Sequence, residues 1–303
     1  MRIVSLVPHA TELLFALGLG DDVVGVTHEC DHPEAARGLR TVTTDRLPAG
    51  LSAAEIDAAV REYTAGGEAI YALDEDALAD LAPDLIITQE LCPVCAVSHD
   101  EVVAVAEQIL SCPRVISLDP HTLGESMADI RTVAQATGTR DAALDLVERQ
   151  RARIDAVRVA VRKAERRPTV AAIEWFDPVF AAGHWTPQLI ELAGGVDVIG
   201  FTGEKSEQVT WEMVAAVAPE VLLCIPCGYD ARRSLREAEM FAEQIATVGA
   251  ERVIALDASA YFSRPGPRLV DGLETLAHAL HPDLVAEAPG AVLELDQLGA
   301  GRH

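Results

Sequence analysis

Ala82-Pro83-Asp84-Leu85-Ile86-Ile87-Thr88 and Ala218-Pro219-Glu220-Val221-Leu222-Leu223-Cys224 repeat one design, an Ala-Pro-acid step followed by a short apolar run. An apolar run of this length behind a proline reads as a strand buried on both faces, the kind found in parallel sheets. Each run ends near a Cys-x-x-Cys pair, Cys92-Pro-Val-Cys95 in one copy and Cys224-Ile-Pro-Cys227 in the other. Ligands of α/β proteins sit outside the carboxyl ends of the strands, so two such halves facing each other would place sulfur on both walls of one cleft. Aligning the copies from Ala82 and Ala218 puts Cys227 opposite Leu91 and Cys224 opposite Thr88, inside the strand. The two cysteine pairs are therefore not equivalent.

Outward from these strands, β-branched runs alternate with helical patterns, the signature of parallel sheets covered by helices. Strands are expected at 3–7, 23–27, 69–73, 84–88 and 114–118, then at 169–174, 220–225 and 252–256. Ser52-Ala-Ala-Glu55 is a capping-box pattern that opens a helix. Residues 140–167 contain no Gly or Pro, and Leu144, Val147, Ile154, Val157 and Val161 recur at helical spacing, so one helix of roughly 40 Å is expected, stopped by Pro168. The fold class is α/β: two Rossmann-like lobes with parallel sheets joined by one long interdomain helix. The N-terminal lobe is placed at 1–139, the linking helix at 140–167, the C-terminal lobe at 168–285 and a flexible tail at 286–303.

The 303 residues carry 24 basic and 48 acidic side chains, a net charge of −24 that repels polyanions and argues against nucleic acid. No apolar run reaches the length of about 18 residues needed for membrane insertion. Neither a secretory leader nor a small disulfide-rich scaffold is visible, so reduced thiols and a cytoplasmic location are expected, with a periplasmic or extracytoplasmic location as the alternative if a leader was removed.

Ile3-Val-Ser-Leu-Val-Pro8 with Thr11-Glu12 and Leu17-Gly18, then Val24-Gly-Val26, then Ala82-Pro-Asp-Leu-Ile-Ile87 resemble the helical-backbone class of ABC-importer substrate-binding proteins. The similarity is closest to the cobalamin-binding branch and its leaderless relatives, through His28-Glu-Cys-Asp-His-Pro33, Glu174-Trp175, Gly183-His-Trp185, Trp211-Glu212, Pro226-Cys-Gly-Tyr229 and Tyr261-Phe-Ser-Arg-Pro-Gly-Pro267. The resemblance implies a cleft between two lobes that holds a large planar metal complex, cobalamin or a related corrinoid. Thiols are not usual in such clefts, and here the chain departs from the pattern.

The loops at 28–33, 89–98, 175–185, 226–229 and 259–265 all follow expected strands and hold most of the unusual side chains. In a chain only 4% aromatic, this concentration marks His28, Glu29, Trp175, His184, Trp185, Tyr229, Tyr261 and Phe262 as candidate ligand-binding residues. Packing between lobes is the alternative for the aromatic rings. Cys30, Cys92, Cys95 and Cys227 are candidate metal ligands, for zinc or an iron–sulfur cluster, against a bland reading as reduced, partly buried thiols. Cys112 and Cys224 read as structural. No phosphate-cradling loop, nucleophile elbow or paired carboxylate spacing is present, so no catalytic residue is assigned. Two readings follow: a non-enzymatic binding protein for a corrinoid or similar chelate, its transporter partner unspecified, or a cytosolic Cys-ligated metalloprotein, enzymatic or not, on the same scaffold.

Overall fold

The computed structural model describes residues 1–48, 50–66, 69–90 and 97–295. The chain forms two compact units, one from Met1–Pro120 with Gly124–Glu148, the other from His121–Leu123 with the chain from Arg149 onward. The first unit runs β1 (Ile3–Ser5), α1 (Pro8–Ala16), β2 (Val23–Val26), β3 (Arg40–Thr41), β4 (Thr43–Asp45), α2 (Ala53–Ala65), β5 (Tyr71–Leu73), α3 (Glu75–Asp80), β6 (Leu85–Thr88), α4 (His99–Ala106), β7 (Arg114–Ser117) and α5 (Leu123–Thr137). Helix α6 (Arg140–Val161) contributes to both units, and the second continues with β8 (Thr169–Phe176), β9 (Val179–Ala181), α7 (Thr186–Leu192), β10 (Val196–Asp197), β11 (Glu207–Gln208), α8 (Trp211–Ala216), β12 (Val221–Cys224), α9 (Ala231–Met240), α10 (Ala242–Val248), β13 (Arg252–Ala255), α11 (Ala258–Tyr261), α12 (Leu269–Leu280) and β14 (Leu293–Glu294). Among the described residues no helix is long and apolar enough to cross a membrane.

In the first unit β3-β2-β1-β6-β7 form an all-parallel sheet. Side chains alternate across it, so Ile3, Leu85 and Ile87 enter the core beneath α1 and α5, while Val4, Leu6 and Ile86 enter a second core with Leu78 and Val102. Burial of each such Ile or Leu contributes about 2 kcal/mol, which is why both faces must be apolar. The strand expected at 69–73 is real at Tyr71–Leu73 but pairs antiparallel with β4 in a separate two-stranded ribbon. Ser52 caps α2 with the full reciprocal capping box to Glu55.

The second sheet has the order β11-β9-β8-β12-β13-β14, with β10 also on β8. Its centre, β8, β12 and β13, is parallel, and Cys224 is fully buried in β12, its thiol pushed up to about 12 by desolvation. The expected parallel sheet is nonetheless mixed. The β8–β9 link is only the two residues 177–178, and so short a connection joins antiparallel strands. Within the tail expected to be flexible over 286–303, residues 293–294 form β14, antiparallel on β13, with Leu293 and Leu295 against the core and Glu294 paired to Arg252; residues 296–303 lie outside the described residues.

The Ala-Pro-acid repeat is a structural joint. Ala82 and Ala218 end α3 and α8 in the left-handed region, at φ 40° and 43°, and each donates its N–H three residues back. The following acid then receives the first N–H of the neighbouring strand: Arg2 N–H on Asp84 Oδ2 at 2.7 Å, and Thr169 N–H on Glu220 Oε2 at 2.9 Å. Cys112-Pro113, at φ 46° before β7, repeats the turn without the acid.

Helix α6 stops at Val161, short of Pro168, and its buried residues are Ala143, Leu146, Val147, Gln150 and Val157; Leu144 is exposed. Of the expected stripe Val147 and Val157 are buried and Ile154 and Val161 half-buried, so Leu144 alone departs, about 100° round the helix from Ala143, which is buried instead. Arg153 then fastens α6 to α12 by hydrogen bonds to Glu274 at 2.9 and 2.6 Å and to Asp271.

Two outcomes test these joints. Ala82→Gly and Ala218→Gly each remove a left-handed Cβ clash of about 1–2 kcal/mol against a glycine entropy cost of about 0.5–1 kcal/mol, so each raises the urea midpoint slightly. The second concerns Asp129 on α5: burial, with Asp119 and Glu125 nearby, pushes its carboxyl up to about 7, and its shielded Oδ2 has no hydrogen-bond partner among the described residues. The native state then holds a proton that the unfolded chain loses near pH 4, so stability falls as pH rises from about 4 through 7. Asp129→Asn removes that loss; thermal melts should show it more stable than wild type at pH 8, by about 1 kcal/mol after allowance for solvent screening, and nearly equal at pH 4.

Candidate functional site

In the second unit, the exits of β8, β12 and β13 open together because the three strands are parallel and in register. Main-chain contacts tie their loops to each other: Cys227 N–H donates to Glu174 carbonyl at 3.0 Å, Ser259 N–H to Tyr229 carbonyl at 3.0 Å, and Gly228 N–H to Ser263 Oγ at 3.2 Å. On this frame Trp175 meets Tyr229 edge to face, with ring centroids 5.8 Å apart. The Arg233 guanidinium lies 3.6 Å over the Tyr229 ring, a cation–π contact at the start of α9. Burial pushes the Tyr229 phenol up, and Arg233 opposes that shift. Trp175 is half-buried; Arg233 and Cys227 are exposed.

The loop after β9 supplies His184 and Trp185. Trp185 is buried and its Nε1–H donates to the Phe262 carbonyl at 2.7 Å, which locks the 183–185 loop to the loop after β13. Phe262 is buried as well. Tyr261 is packed between glycines: a Cβ on Gly272 would lie 2.7 Å from its carbonyl oxygen, and one on Gly290 would lie 2.5 Å from its ring. These three rings brace the loops. His184 is half-buried beside His121 at 5.7 Å and Trp185 at 5.4 Å between ring centroids. Burial, then His121 and Lys205, push its imidazole below the ordinary value, so it is neutral at pH 7.

The first unit treats its candidates differently. His28 is held by Thr43, whose Oγ1 is 2.8 Å from Nδ1, and by the edge of Tyr71, 4.8 Å away, so the β4–β5 ribbon orients it. Glu29 is exposed, with its N–H on Thr27 Oγ1 at 3.1 Å and its carboxylate 3.7 Å from His28 Nε2. Cys30 belongs to the core beneath α1, its sulfur 3.1 Å from Thr11 Oγ1 and 3.3 Å from Thr27 Oγ1. Thr11 also donates to Ser5 Oγ at 2.8 Å, so the hydroxyls fasten β1, α1 and this loop around the thiol. Cys92 and Cys95 lie outside the described residues. Among the described residues no three His, Cys, Asp or Glu side chains are gathered to hold a metal ion, and Cys30 and Cys227 belong to different units.

Sequence reasoning missed His121, Lys205 and Arg233. His121 follows the exit of β7, so the strand-exit criterion points to it, yet its contacts place it in the second unit. Arg233 carried no signal, because its significance lies in the Tyr229 ring beneath it. Trp211 opens α8 and packs on Phe176 and Phe241 in the core.

Comparison with known proteins bears on this arrangement. The model of the family described as periplasmic binding protein matches residues 3–260. The vitamin B12-binding protein of Vibrio cholerae serotype O1 is 25% identical over 293 residues, covering 90% of this chain and 86% of that protein. Among solved structures, the periplasmic vitamin B12 binding protein BtuF of Vibrio cholerae superposes with a TM-score of 0.66 at 22% identity, over 91% of this chain and 94% of that one. The periplasmic heme-binding protein RhuT from Roseiflexus sp. RS-1, in apo form, gives 0.65 at 26% identity, over 92% and 97%.

The bracing role of the buried rings has a direct test. Trp185→Phe keeps most of the packing but leaves the Phe262 carbonyl unpaired, and should cost about 1–3 kcal/mol in denaturant unfolding. A change below a few tenths of a kcal/mol would show that the two loops are held by other means.

Proposed function

This chain belongs to the periplasmic binding protein family, and we propose that it is a non-enzymatic binding protein for a flat tetrapyrrole-type metal chelate, a corrinoid or a haem. The observation that carries the reading is the Trp175–Tyr229–Arg233 stack at the strand exits of the second unit. The half-exposed Trp175 ring, steadied by the buried Tyr229, offers a macrocycle an apolar contact at little entropic cost, and the exposed Arg233 guanidinium meets acidic or amide side arms. The names of its relatives, vitamin B12-binding and heme-binding, support the same ligand class. A relative of Bacillus subtilis named as an uncharacterized ABC transporter substrate-binding lipoprotein supports a transporter as the partner that receives the ligand.

The test is a titration with cyanocobalamin, diaquocobinamide, iron(III) protoporphyrin and a non-planar iron–catecholate chelate, followed by visible spectra and tryptophan quenching. Saturable binding to at least one tetrapyrrole is expected, weakened about tenfold by Trp175→Ala, which corresponds to about 1.4 kcal/mol of lost ring contact. Binding of the catecholate chelate alone would overturn the reading.

A further inference from the structure

Beyond α12 the chain turns back along the second unit as a strap that ends in β14. His278 Nδ1 lies 2.7 Å from the Val285 carbonyl, Gly290 N–H donates to Thr275 Oγ1 at 3.1 Å, and Leu295 N–H donates to the Val253 carbonyl at 2.9 Å. Arg252 locks the far end, its guanidinium on Glu294 of β14 and, at 2.7 Å, on the Ala279 carbonyl near the end of α12. At Gly290 the strap presses on Tyr261: a Cβ there would lie 2.5 Å from ring Cε2, while Gly272 of α12 closes on the Tyr261 carbonyl. Gly290 does not take a left-handed φ, so its missing side chain answers to the ring and not to the backbone. The two residues after Tyr261 are the ones that tie the strand-exit loops together. Phe262 carbonyl takes the Trp185 indole N–H at 2.7 Å, and Ser263 Oγ takes the Gly228 N–H at 3.2 Å. Gly228 in turn precedes Tyr229, against which Trp175 is set.

We propose that Gly290 is a positioning residue for ligand binding: through Tyr261 the strap sets the place of the loop after β13, and through Phe262 and Ser263 it sets where Trp175 and Tyr229 stand. The inference rests on the functional reading above, because only a ligand on that face makes their position matter. Packed interiors pass a displacement on and do not absorb it. Tyr261 cannot yield alone, since its N–H is on the Asp257 carbonyl at 3.2 Å and the N–H groups of Phe262 and Ser263 are both on the Ala258 carbonyl, at 2.9 and 2.8 Å. A pushed ring therefore carries α11 and the loop after it as one piece. A rigid planar ligand rewards a ring already standing in place, and a shift of about 0.5 Å is enough to lose that advantage. The end of the chain thus takes part in binding by way of Tyr261 and not by contact with the ligand.

The test reads the ligand-free protein and the affinity side by side. Labelling with 5-fluorotryptophan gives separate fluorine resonances for Trp175, Trp185 and Trp211, assigned by replacing each in turn with Phe. Gly290→Ala should move the Trp185 and Trp175 resonances and leave that of Trp211, which packs on Phe176 and Phe241 in the core. It should also weaken binding of whichever of cyanocobalamin, diaquocobinamide and iron(III) protoporphyrin the wild type accepts, by at least about fivefold. In Tyr261→Leu protein, where the ring is gone, adding Gly290→Ala should change neither resonances nor affinity further, a non-additivity that a general loss of stability does not produce. Val248→Ala, a core truncation in α10, lowers stability and should leave the affinity unchanged. Thr275→Val keeps its shape but releases the Gly290 N–H, and should move the same two resonances and weaken binding about twofold or more even if Gly290→Ala does not fold. Wild-type affinity in both Gly290→Ala and Thr275→Val, or a Gly290→Ala loss that persists in full beside Tyr261→Leu, overturns the assignment and leaves the functional reading standing. Failure of the wild type to bind any of the tetrapyrroles overturns both.

Discussion

The two carboxylates at Asp84 and Glu220 are the constraint from which the rest of each unit follows. Each ends a left-handed Ala-Pro turn, takes the first free N–H of the strand on one side, and offers its own main-chain carbonyl to the strand on the other, to Arg114 at 2.9 Å and to Arg252 at 3.1 Å. A parallel strand has no hairpin to set its register, so a fixed start line must do so. With the starts aligned by one acid, the carboxyl ends finish level and their loops emerge side by side. That is how residues as distant as Trp175, Tyr229 and Ser263 come to share one face.

On that face the aromatic residues divide into two groups with different physical roles. Trp185 and Phe262 are buried and joined by an indole hydrogen bond, and Tyr261, half-buried, packs against Gly272 and Gly290. Trp175 remains half-exposed, its ring set edge to face against Tyr229, which is itself buried beneath the Arg233 guanidinium. Rigid loops hold the second group still, which lowers the entropic cost of docking a rigid planar ligand. The cations matter more for being few: in a chain of net charge −24, Arg233 and Lys205 stand beside the rings and the imidazole. Such placement favours an anionic or polar-armed ligand locally, while the acidic surface as a whole keeps polyanions away.

Much of the fold was legible because the signals are local. The buried strands announce themselves as runs of Val, Ile and Leu behind a proline, the capping box at Ser52 states where a helix begins, and the offset between Cys224 and Cys227 follows from counting along a repeat. Short edge strands such as β10, β11 and β14 were not legible, since two residues carry no period and exist as strands only through their neighbours. The same limit applies to α6, where the choice between Leu144 and Ala143 depends on what lies opposite.

Sequence by itself determined two α/β halves, the position of the strand exits and the set of loops on which unusual side chains gather. Alternation, capping and turn chemistry are encoded within a few residues of where they act. Only the tertiary structure decided which of those side chains are free for a ligand. Trp185 is engaged by Phe262, Tyr261 by Gly290, Cys30 by Thr11 and Tyr229 by Arg233, and these partners are joined by folding rather than by adjacency. A ring or a thiol looks the same in the sequence whether it faces a ligand or the core, because its environment is made by residues that only the packed chain brings near.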